Sequence, residues 1–190
     1  MLLIADAPSH TSLAAVGGPI LAVGLMGVGM IGAAAAGRLW IGVLMALLAG
    51  AGLVLIVRAL GLPALTHPVA TGFAVIIASV SFAARGTLFA RSAADKGWLI
   101  ALSVVAGEAA VLITASAMPD ALPDWLLVLL PAQWASVAIQ TALAGGGTRA
   151  ASSVLVALAG TAAATLLVVR LWPRRWPYMI MFTVWLGLSA

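Results

Sequence analysis

Long, nearly uncharged apolar runs recur along the whole chain, and they restrict its fold more than any other feature. They lie at about 14–36, 39–60, 69–84, 98–118, 125–143, 150–171 and 178–190. Crossing the hydrocarbon of a bilayer takes roughly 20 helical residues, so most of these runs have the length of a membrane span. Each must be helical, because a backbone in lipid has to satisfy its own N–H and C=O groups within the segment. The two-residue alternation of a membrane barrel is absent. Only 7% of the 190 residues are charged and the mean hydropathy is +1.21, whereas soluble domains carry roughly a quarter charged residues. The expectation is one all-α domain over 1–190, a polytopic transmembrane bundle of about seven helices. The last run is short, and either stops before the far face or belongs to a chain that continues past Ala190.

The net charge of +4 does not point to nucleic acid, because the bases stand singly or in small groups at the ends of apolar runs. They act as topology determinants, since Lys and Arg near helix ends favour the cytoplasm. With seven crossings, Arg38, Arg85, Arg91, Lys96 and Arg149 fall on one side and Arg58, Arg170, Arg174 and Arg175 on the other. That division is nearly even and weakly favours an outside N-terminus. The opening MLLIADAPSHTSL carries Asp6 and His10 but no Lys or Arg, so it lacks the positive region of a secretory signal, and the first run reads as a retained helix. No cysteine is present, which excludes disulfides, thiolate metal sites and redox pairs.

An internal repeat organises the chain. Ala49-Gly50, Ala106-Gly107 and Ala159-Gly160 stand near the middle of three runs, and Pro63, Pro119 and Pro173 follow at matching distances. Arg38-Leu-Trp40 and Lys96-Gly-Trp98 open the first two units, while Arg149 opens the third without a tryptophan. Each unit reads as an interfacial base, a helix with a small-residue notch, a proline turn and a returning helix. Three hairpins at about 39–91, 97–147 and 150–190 follow, preceded by one additional helix at 14–36, and the three prolines should share one membrane surface. This pattern resembles the HdeD-type small bacterial inner-membrane proteins, most closely from Lys96-Gly97-Trp98 through Gly107 and Pro119 to the Ala144–Gly147 tract. The resemblance implies a bacterial inner-membrane location and a role in acid or envelope stress, with no catalytic residues. The additional first helix and the shortened third unit depart from it.

Glu108 is the sharpest single feature, a carboxyl near the middle of an apolar run. Such a group must be protonated, paired or facing water, and it serves either a proton or ion path or helix packing. Gln133 and Gln140 share a helical face and are its expected hydrogen-bond partners, with Pro131 loosening the backbone beside them. Arg58 and Arg170 should reach to the interface, with an inward pairing to Glu108 as the alternative. Trp172, Arg174, Arg175 and Trp176 form an aromatic and basic cluster suited to anionic lipid or a partner subunit. His10 and His67 lie outside the apolar runs as turn residues, so neither metal nor haem is expected. The ladders Gly42, Ala46, Gly50 and Ser153, Ala157, Thr161, Thr165 mark tight helix contacts, within the bundle or between copies. No protease, P-loop or paired-aspartate motif is present, so no catalytic residue is assigned and no cofactor is implied.

Three functions are consistent with these features. The first is a non-enzymatic HdeD-like inner-membrane protein acting through lipid or protein association. The second is a small channel or proton-linked transporter using Glu108, Gln133 and Gln140. The third is a membrane-anchor subunit of a larger complex, or a sensor module severed from a downstream domain.

Overall fold

The computed structural model describes residues 10–59, 67–118, 121–145 and 147–171, with 181, 183–185 and 187 beyond them. Among the described residues every regular element is helical. They are α1 (His10–Ala36), α2 (Leu39–Ala59), α3 (Pro68–Ala93), α4 (Gly97–Ala117), α5 (Asp124–Val128), α6 (Pro131–Leu143), α7 (Gly147–Ala150) and α8 (Ser152–Leu171). A single 3-10 turn (Ala94–Lys96) joins α3 to α4. Among the described residues, four stretches are long and apolar enough to cross a membrane, Gly17–Ala36, Leu39–Ile56, Pro68–Ala117 and Ser152–Leu171, which marks a membrane protein. The third holds both α3 and α4. Pro63, Pro119 and Pro173, and the cluster Trp172, Arg174, Arg175 and Trp176, lie outside the described residues.

The apolar surface is turned outward. Trp40, Leu48 and Leu55 on α2 and Trp98, Leu102 and Ile113 on α4 are exposed, a distribution that suits lipid and that water would penalise. The buried residues of α4 are Gly97, Ala101, Glu108 and Leu112, one face at helical spacing. Its only charge is thus on its inner face.

The first helix is the hub. α1 packs along α2, α3, α4 and α6, and its core face carries Ala22, Leu25, Met26, Met30 and Ala33. Close approach sets two of these contacts. A Cβ on Gly86 of α3 would overlap the Met30 carbonyl, and one on Gly42 of α2 would overlap the Gly29 carbonyl. The Gly42, Ala46, Gly50 ladder therefore packs inside the bundle, against α1. On α8 the ladder is buried at Ala157, Thr161 and Thr165 but exposed at Ser153. Gly107 departs from the notch expectation, since a Cβ there meets nothing within 4 Å. Gly97 has a specific cause: a Cβ would come 2.8 Å from the Ala90 backbone, so the tight α3–α4 turn excludes a side chain.

Two expected boundaries change. The run at 69–84 extends to Ala93, so Arg85 sits inside α3 and not in a loop. The run at 125–143 is not one helix. Leu130 precedes a proline, which drives it out of the α region. It is extended (φ −97°, ψ 114°) and separates α5 from α6.

Candidate functional site

Four helices converge on Glu108, which is 9% exposed. It lies eleven residues after Gly97 and nine before Ala117, so about 16 Å and 14 Å from the two ends of α4. Its carboxylate oxygens have different partners. Oε1 faces Arg85 Nη1 of α3 at 3.6 Å, and Oε2 accepts a hydrogen bond from the Ala132 N–H at 3.1 Å.

The second contact follows from the broken helix. The first turn of any helix has N–H groups without an acceptor one turn back. In α6 Pro131 has no N–H to satisfy, and the Gln133 and Trp134 amides both reach the Leu130 carbonyl, at 3.0 and 3.3 Å. Ala132 holds the remaining donor, and Glu108 from another helix takes it. The carboxylate thus caps α6 from outside, where the helix dipole favours negative charge.

α6 runs away from Glu108 toward the start of α1. A Cβ on Gly18 would meet Gln140 and the Ser136 carbonyl, and one on Gly17 would lie 3.5 Å from Leu143. From Ala121 to Leu143 the chain therefore descends from the far end of α4 to the level of Glu108, turns at Leu129-Leu130, and climbs toward the end of the bundle that holds Gly17.

Arg85 is held on two sides. Its guanidinium carbon lies 5.8 Å from the ring centre of Phe82, one turn earlier on α3, within the range of a cation–π contact. Glu108 supplies the opposing charge. Beside the pair opens a cavity of about 430 Å³, whose wall includes Val104, Leu129, Pro131, Thr161, Thr165 and Trp185. The Thr161 and Thr165 hydroxyls donate to the carbonyls of Leu158 and Thr161 at 3.0 and 2.7 Å, so their lone pairs remain as acceptors. The pocket is apolar with one charged end.

The expected glutamine partners are not the ones used. Glu108 pairs with Arg85 and Ala132, and neither Gln133 nor Gln140 lines the cavity. Gln140 lies against Gly18 of α1 instead, because α6 packs far more on α1 than on α4. Arg170 is exposed at the last turn of α8, which leaves the inward pairing to Arg85. His67 is the exposed residue before α3, and its carbonyl accepts the Thr71 amide and hydroxyl. Among the described residues no three His, Asp or Glu side chains gather. The signal that would have found Arg85 is the near-symmetry of Arg85 and Glu108 about the turn at Ala94–Lys96, which an antiparallel hairpin brings face to face. No family model, curated protein or solved structure matches the chain.

Proposed function

We propose that this chain is a non-enzymatic, proton-linked transport unit of a bacterial inner membrane, working through the Arg85–Glu108 pair. One observation carries the proposal: a helix begins level with the middle of α4, and its free N–H is capped by a buried carboxylate that also faces a half-buried arginine at a cavity. Irregular backbone at membrane depth is tolerated where it is buried in protein or lines a cavity. Discontinuous helices aimed at charge, and ionisable side chains inside the bilayer, are features of ion and substrate pathways. In this topology α1, α2, α3, α4 and α8 cross the membrane, and α5–α6 dips in from one side and returns to it. Among the described residues that gives five crossings and one re-entrant hairpin where the first six runs led to six crossings; the seventh run, at 178–190, lies largely outside them.

The test is proton flux in proteoliposomes under an imposed pH gradient. Flux above that of empty vesicles, lost in Glu108→Gln, is the expected result. Flux equal to empty vesicles, or unchanged in Glu108→Gln, would overturn the transport function.

A further inference from the structure

The guanidinium of Arg85 has more donors than its surroundings use. Five N–H groups project from it, yet among the described residues its contacts are the 3.6 Å approach to Glu108 and the face of Phe82. The ion contact is longer than a charge-assisted hydrogen bond, which lies near 2.7–2.9 Å. Ala132 is satisfied by Glu108, and the threonine hydroxyls have given their protons to their own helix. Arg85 thus brings unspent donors to the cavity. Around them stand Leu88, Phe89, Val104, Leu130, Met181 and Trp185, which supply an apolar enclosure.

We propose that the cavity binds a small monocarboxylic acid with an apolar body, its carboxylate on Arg85 and its proton on Glu108. This rests on the same site as the proposed function and names its substrate class. The volume of about 430 Å³ is at the small end of ligand pockets, which suits a compact aryl or short alkyl acid. Arg85 presents the planar fork that matches a carboxylate in two-point fashion. Charge balance fixes the rest. Empty, the site holds one cation and one anion. A second carboxylate would leave net negative charge in a low-dielectric interior, at high cost. The exchange R–COOH + Glu108–COO⁻ ⇌ R–COO⁻ + Glu108–COOH removes that cost. The acid's O–H bond breaks and a bond from that hydrogen to Glu108 forms, on the Oε1 side that Arg85 vacates. Arg85 exchanges one carboxylate for another, and Oε2 keeps the Ala132 N–H. The charged group facing Glu108 is Arg85 of α3; among the described residues α6 and α8 bring no ionisable side chain to the cavity, and α4 brings no other.

Calorimetry on the full chain in detergent tests this, with phenylacetate as probe and phenylacetamide as its uncharged counterpart. Repeating the titration in buffers of different ionisation enthalpy counts the protons taken up. Wild type should bind phenylacetate saturably and take up about one proton per ligand at neutral pH. Glu108→Gln keeps an acceptor for Ala132, and should bind the anion at least as well with no proton uptake. Arg85→Lys keeps the charge, loses the fork, and should weaken binding by about tenfold. Absence of saturable phenylacetate binding to wild type would overturn the proposal, as would phenylacetamide binding equally well or proton uptake persisting in Glu108→Gln. The two conclusions fail separately. Binding with proton uptake but without flux sinks transport and leaves the site; Glu108-dependent flux without phenylacetate binding sinks the substrate class alone.

Discussion

At the scale of single residues, Glu108 does two structural jobs whose loss is measurable. Truncation to alanine strands Arg85 in the bundle and uncaps α6. Removing one partner of a buried pair costs about 3–5 kcal/mol, so Glu108→Ala should lower the thermal midpoint in detergent sharply. Glu108→Gln retains the acceptor for Ala132 and should lose less. The double variant Arg85→Leu, Glu108→Leu removes both charges, and should be less destabilised than the sum of its two single changes. Additive losses would show that the two side chains do not interact. Ser81 offers the opposite case. Its hydroxyl is buried on α3 and has no hydrogen-bond partner among the described residues. An unsatisfied buried hydroxyl costs about 1–3 kcal/mol, so Ser81→Ala should hold or raise the midpoint, and a marked fall would expose an unseen partner.

At the scale of elements, glycine substitutions separate contact from open surface. Gly86→Ala drives a methyl into the Met30 carbonyl and should cost about 1–3 kcal/mol as over-packing. Gly107→Ala meets nothing within 4 Å and removes a helix-interior glycine, so it should stabilise by about 0.5–1 kcal/mol. Melting curves of the two variants in one detergent decide this, and a shared direction would refute the packing of α1 on α3. The same pair shows what was legible. Hydropathy located α1, α2, α4 and α8 closely, since each is a continuous apolar run. It closed α3 too early, because an arginine within a span looks like a loop when its carboxylate partner is 23 residues away. It joined α5 to α6, because apolar composition is blind to the backbone break that Leu130-Pro131 imposes. The site followed the same division: Glu108 was visible as a lone charge, but a backbone amide as its partner carries no side-chain signature, so Gln133 and Gln140 were the available candidates.

For the whole molecule, the turn at Leu129-Leu130 decides on which side everything after it lies. With α5–α6 as a crossing, the bases divide almost evenly between the two faces. With α5–α6 returning to its side of entry, Arg149 joins Arg58 on the face of the N-terminus. Arg170 at the end of α8 joins Arg38, Arg91 and Lys96, and Arg174 and Arg175 follow it in the sequence. Arg85 leaves the count, being neutralised inside by Glu108. The distribution becomes strongly one-sided, as expected when loop bases hold one face in the cytoplasm. A chain with no native cysteine allows a direct test by single cysteines and a membrane-impermeant maleimide. Ala121→Cys and Ala144→Cys flank the hairpin at exposed positions, and Ser92→Cys lies near the α3–α4 turn. In intact cells with the outer face of that membrane accessible to the reagent, the first two should label and Ser92→Cys should label only after permeabilisation. Labelling of Ala121→Cys and Ala144→Cys from opposite faces would make α5–α6 a crossing. It would also remove the mid-depth helix start from which the transport function and the acid site both derive.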